Sequence, residues 1–409
     1  MPAGQNDIQV SVGAPTASGS LEPTGAGNSR RAAILVWLAL AFLLGAAAIG
    51  LGWDRRWHAT HVFNSFYSPP HLFIYSMLGL TVLTVGVIVS APRLRSQFAT
   101  QPIAMPFTSW KLPGALALCA GGLGVVVLAG LFDDIWHSNF GLDETAWSFP
   151  HAMIGTGLQL TLMGILACRI ALVRWKPVGG IAMTLLGILL FGFSQERLVG
   201  PLANATSQSV QALANFPVLV LQPTVQHTMR IYEAWNLNRT NALFVPMAAL
   251  AAGATLALVW HFTRGHRAGA WILLVAVLVP TVGATLGALG TARYFGIQHD
   301  PRSWLPIPFL PSALAFAVLR AAAGMGERWA WAGAGLIFRL CSMIWSPYLL
   351  LVPMAALCMT AGAYAGRYFW NTIASPTRRS VLVTVVLFGT GVPAITGVAD
   401  RHLRVHTPI

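Results

Sequence analysis

Charge is scarce in this chain. Of its 409 residues, 9% are charged and 56% are hydrophobic, whereas soluble domains carry roughly 25% charged residues. That deficit excludes an ordinary soluble domain. Lysine is nearly missing, with Lys111 and Lys176 the only two. The net charge of +13 therefore comes from arginines, scattered in short loops. Scattered arginines set the orientation of a membrane protein and do not make a phosphate-binding patch, so no nucleic-acid partner is expected. Cysteine is sparse too. Cys119, Cys168, Cys341 and Cys358 fall in or at the ends of apolar runs and form no CxxC pair, which speaks against a disulfide framework or a thiolate metal site. There is no GxGxxG after a strand, no P-loop, no GxSxG and no HExxH. Alternating ten-residue strands are missing, which excludes a membrane β-barrel.

What is present is apolar run after apolar run, and a bilayer core needs about 20 such residues per helix. Eleven spans are expected, at roughly 33–53, 71–90, 113–132, 151–173, 178–194, 243–263, 270–291, 307–323, 329–345, 348–366 and 379–397. The fold class predicted is all-α, a polytopic integral membrane helical bundle of about 11 transmembrane helices. Residues 1–30, rich in Gly, Ser, Ala and Pro, read as a disordered N-terminal tail. Residues 31–194 form one transmembrane region and 243–409 a second. The linker 195–242 between them is long and semi-apolar, with room for an interfacial or re-entrant helix.

The basic loops predict the orientation. Arg30 and Arg31, then Arg93, Arg95 and Lys111, then Arg169, Arg174 and Lys176 alternate with the spans. Arg264 and Arg267, Arg320 and Arg328, and Arg367, Arg378 and Arg379 continue the pattern. All fall on one side if the count is right, and that side is the cytoplasm. The expectation is a multi-pass protein of the cell inner membrane with a cytoplasmic N-terminus.

Two stretches go against that trend and face outwards. The first reads Asp54-x-x-Trp57-His58, then twelve residues, then His71 preceded by Pro69 and Pro70. The second reads Asp133-x-x-Trp136-His137, then thirteen residues, then His151 preceded by Pro150. The first two and the next two spans thus look like two parallel copies of one helical hairpin. On a helix, residues four apart share a face, so Asp54 and His58 can address one spot, as can Asp133 and His137. Proline suits the first turn of the next helix and fixes where the closing His projects. Each hairpin can bring one carboxylate and two imidazoles together, a three-ligand set that leaves coordination positions open on Cu, Zn or Fe. Ionisable residues at membrane depth are costly and mark function. The plainer alternative is an Asp–His hydrogen bond that only holds the hairpin closed.

These residues resemble the C subunit of the copper membrane monooxygenases, the family of particulate methane and ammonia monooxygenase. Asp54, His58 and His71 match its Asp-x3-His-x12-His copper motif. Asp133, His137 and His151 match the spacing of its second motif, with Asp133 where the family has Asn. The resemblance covers about residues 50–175. It implies two intramembrane copper sites, an open position for O2, a small apolar substrate arriving through the lipid bilayer, and partner membrane subunits. The Asn-to-Asp change makes the second site more anionic and favours a harder metal there. The function expected is a metal-dependent membrane oxidoreductase, or a subunit of one. The alternative is a transporter or metal-handling protein that uses the same Asp and His for a cation or for protons.

Other polar residues invite plainer readings. His61, Asp143 and Glu144 read as solvated, and Asp134 or Tyr67 as neighbours of a site. Gln226, His227, Arg230 and Glu233 suit an amphipathic helix. His299, Asp300 and Arg302 suit a turn, His402 and His406 a solvated tail, and His266 a basic loop.

Overall fold

A computed structural model describes residues 25–60, 67–105, 111–140, 149–173, a few positions from 184 to 192, 244–295, 308–344, 349 and 351–394. The described residues are 88% helix and 2% strand. Helices α1 (Gly25–Thr60) and α2 (Pro69–Ser90) form the first hairpin. A short α3 (Pro92–Arg95) leads to α4 (Gly114–Phe140) and α5 (Phe149–Val173), the second hairpin. After the linker come α6 (Phe244–Thr263), α7 (Gly269–Phe295) and α8 (Phe309–Ala317). The chain closes with α9 (Glu327–Ser342), α10 (Leu351–Ala374) and α11 (Arg378–Val386). Both α8 and α11 run on into a π turn, Val318–Ala322 and Leu387–Gly391.

Ten of the eleven expected apolar runs coincide with these helices. The run at 178–194 lies mostly outside the described residues, and so does the linker 195–242. Among the described residues, four helices contain segments long and apolar enough to cross a membrane: Asn28–Leu51, Pro69–Ser90, Gly114–Asp133 and Phe149–Leu172. Helix α1 begins at Gly25, ahead of the expected start of the first span, although Gly25, Gly27, Asn28 and Ser29 are weak helix formers. One expectation needs correction: the described chain is not purely helical. Strands Pro102–Ala104 and Lys111–Pro113 pair antiparallel, with Ile103 opposite Leu112. Ile103, Leu112 and Phe98 are buried there, so a small apolar plug anchors the loop beneath α4. That loop also caps α4: Thr100 Oγ1 accepts from the Ala115 N–H at 3.1 Å, and the Gln101 carbonyl from the Gly114 N–H at 3.0 Å.

Small residues set the helix directions. In the second hairpin, Gly164 lies against Cys119 and Gly157 against Val126, so α5 runs antiparallel to α4. Gly121 faces Val385 and Gly389 faces Val125, so α11 runs parallel to α4. Gly362 packs on Leu250 and Ala254, and Gly366 on Ala254 and Leu258. An advance of four residues on each helix makes α6 and α10 parallel, at a separation only glycine allows. Trp37 Nε1 donates to the Ile165 carbonyl at 2.9 Å, and the Arg169 guanidinium lies 5.5 Å over the Trp37 ring. That contact joins the start of α1 to the end of α5. Gly114 abuts Pro376, which joins the start of α4 to the start of α11.

These contacts put the basic termini at one end of the molecule. Arg30, Arg95, Lys111, Arg169, Arg264, Arg367 and Arg378 all belong to helix ends or loops on that side. The C-terminus of α1, the N-terminus of α2, the C-terminus of α4 and the N-terminus of α5 lie at the other end. Both Asp/His stretches are there.

Candidate metal centre

The first hairpin closes on its carboxylate. Helix α1 runs unbroken through the motif to Thr60, so Asp54 and His58 sit one turn apart on one helix. Helix α2 opens with prolines at its first two positions, and His71 is its third residue. The Leu72 N–H donates to the Ser68 carbonyl at 3.0 Å and sets that first turn. His71 Nε2 then lies 3.0 Å from Asp54 Oδ1, both side chains being largely buried. Trp53, just before Asp54, packs on Phe73 with ring centroids 6.1 Å apart. Tyr75, one turn beyond His71, stacks on its imidazole at 5.8 Å.

The second hairpin repeats the plan. Helix α4 runs through Asp133 and His137 to Phe140. Helix α5 opens at Phe149, with the buried Pro150 second and His151 third. His151 Nδ1 lies 3.3 Å from Asp133 Oδ1, and Asp133 is buried. Phe132, just before the Asp, meets Phe149 edge-on at 6.4 Å. Trp57 and Trp136 occupy equivalent places, each half-buried. In both hairpins the closing His meets the Asp from the preceding helix.

The distances bear on metal binding. Two donors bound to one ion at about 2.0–2.1 Å stand roughly 2.9–3.4 Å apart for angles from square to tetrahedral. Separations of 3.0 and 3.3 Å fall within that range. They also suit a direct hydrogen bond from imidazole to carboxylate. The donor set is one a transition metal accepts. Among the described residues no group of three His, Cys, Asp or Glu side chains is gathered for an ion. The third member of each set, His58 or His137, has its side chain outside the described ones. His61, Asp134, Asp143 and Glu144 also lie outside them, while Tyr67 is exposed. The residues around 226–233, 299–302 and 402–406 lie outside as well. His266 Nδ1 accepts from the Ala268 N–H at 3.1 Å, which makes it part of a turn.

Sequence reasoning missed one pair. At the basic end, His261 Nε2 lies 3.3 Å from Glu327 Oε1 and ties α6 to α9. The His261 side chain is 1% exposed, so this is a core contact. Its signal was available: an ionisable residue at the end of an apolar helix needs a partner. Which carboxylate would serve could not be read, because 65 residues separate the two. Arg339 is also fully buried, and its guanidinium donates to Ser342 Oγ at 3.3 Å. No protein-family model, curated protein or solved structure matches the chain.

Proposed function

We propose that this chain is a multi-pass inner-membrane protein that binds a transition metal at each of two hairpins near its outer face. It acts there as a metal-dependent oxidoreductase or as a subunit of one. The observation that carries the reading is the duplication. Two hairpins unrelated in packing bring Asp and His to within 3.0 and 3.3 Å at the same end of the molecule. Asp54, His58 and His71 would hold one ion, and Asp133, His137 and His151 the other. Copper is the metal implied by the resemblance to the monooxygenase C subunit. Bound copper supplies one-electron chemistry and an open position for dioxygen. The chain's own part is to fix the imidazoles. The prolines set the backbone, the carboxylates hold the ring nitrogens, and Tyr75 braces His71.

The membrane reading rests on apolar surface. Leu35, Phe42, Ile49, Leu83, Trp271 and Leu286 are each more than 60% exposed. On α1 the exposed Leu35, Phe42 and Ile49 recur every seven residues and so line one helix face, an apolar stripe suited to a non-aqueous neighbour. It would also give a small apolar substrate a route to the hairpins through the lipid.

Elemental analysis tests the metal reading. Wild-type protein expressed with copper and zinc supplied should carry transition metal, and the His71→Ala, His151→Ala double variant should not. The direct Asp–His distances favour a second reading, in which each pair only closes its hairpin. That reading predicts no bound metal in the wild type. Metal uptake into vesicles without oxygen consumption would favour a transporter instead.

A further inference from the structure

At the end opposite the hairpins, charge gathers around one junction. His261, near the end of α6, pairs with Glu327 at the start of α9. Arg264, Arg267, Arg320, Arg328 and Arg367 stand around this junction, and all five are exposed. Arg264 and Arg367 are close enough to His261 to act on it electrostatically. Glu327 is the only acid at this end among the described residues, and it is engaged with His261. The junction therefore presents several guanidinium groups against one carboxylate. Its flank is apolar and aromatic. Trp329 is 59% exposed, with the Arg328 guanidinium 5.2 Å over its ring. Leu336 and Leu340 continue that exposed line along α9.

We infer that the junction of α6, α9 and α10 binds the phosphodiester headgroup of an anionic phospholipid. This rests on the membrane reading of the chain. The planar guanidinium fork matches phosphate oxygens in pairs. Exposed Trp beside Arg is the arrangement of a membrane–water boundary. The Leu line beyond gives an acyl chain an apolar bed, which a soluble phosphate or a nucleic acid would not need.

The test titrates the full chain, purified in detergent, with phosphatidylglycerol and with phosphatidylcholine of the same acyl chains. Phosphatidylglycerol should bind at least tenfold more tightly, and less so as salt rises. The Arg264→Gln, Arg328→Gln, Arg367→Gln variant should lose roughly 100-fold in that affinity. An Arg30→Gln, Arg31→Gln, Arg93→Gln control should lose little. If the triple variant does not fold, Arg320→Gln, Arg328→Gln should still lose roughly 25-fold. Equal binding of the two lipids would overturn the proposal, as would an equal loss in the control. Displacement by millimolar sodium phosphate, or equal affinity for a DNA oligonucleotide, would overturn it too. A chain that stays dispersed without detergent would sink the membrane reading itself. A chain that needs detergent yet shows no lipid preference would sink only this site.

Discussion

The two hairpins carry the same chemistry on different packing. In the second, glycine brings the helices together: a Cβ on Gly122 or Gly164 would collide with the backbone of Thr161 or Cys119. In the first, Gly50 meets only the side chains of Ile74 and Phe73, while Gly45, Gly79 and Gly86 face open space. Burial follows. In the apolar window of α1 or α2, 22% of residues are buried, against 56% in α4 and 78% in α5. Yet in both hairpins the third residue of the second helix is a His that reaches the Asp of the first. The Asp–His pairing is thus set locally, by helix phase and the proline-led first turn, and not by how tightly the hairpin packs. The ring nitrogens differ, Nε2 for His71 and Nδ1 for His151. The two sites are therefore not copies in orientation.

Several experiments would break or sharpen that comparison. The largest effect is expected on metal content. His71→Ala and His151→Ala should each remove one bound equivalent and leave the other hairpin loaded. Loss of both from a single change would mean the hairpins act as one site. Next in size are the glycines. Gly164→Ala crowds the Cys119 backbone and should destabilise by about 2 kcal/mol in a detergent thermal melt. Gly79→Ala meets nothing within 4 Å and should shift stability by under about 1 kcal/mol. Equal losses would show that the hairpins pack alike.

Removal of the carboxylates ranks third. Asp133 is buried and Asp54 less so. Asp133→Ala should therefore cost more than Asp54→Ala, within the roughly 1–3 kcal/mol range for stranding a buried polar partner. The reverse order in urea or thermal unfolding would contradict the burial difference. The smallest effect concerns metal choice. Asp133→Asn removes a charge from the second site and should tilt competition there from zinc toward copper, while the first site keeps its preference. Metal retention at both sites should rise with pH, since imidazole and carboxylate bind only when deprotonated. A dialysis series across pH, read by elemental analysis, checks the sign.

Much of the helix layout was legible beforehand, because an apolar run of about 20 residues has few alternatives to helix. The expected run 243–263 and the observed Phe244–Thr263 differ by one residue at one end. Most of the arginines were legible as a set because they fall in the short connections between apolar runs; the buried Arg339 within α9 is an exception. The small β-hairpin was not, since strands of three residues are shorter than any periodic pattern can reveal. Nor was the reach of α1 back to Gly25, because Gly25, Gly27, Asn28 and Ser29 are weak helix formers and give no local sign of a helix start.

By itself, the sequence determined the helices, the collection of basic loops at one end, and the repeated Asp, Pro and His that make two hairpins alike. These depend on local spacing and on the cost of exposing apolar or charged groups. Only the tertiary structure decided the remainder. It paired His261 with Glu327, ran α6 parallel to α10 along a glycine seam, and turned a different imidazole nitrogen to the Asp in each hairpin. Such features depend on which surfaces meet across long stretches of chain, and helix-to-helix fit is not written in the spacing of either helix alone.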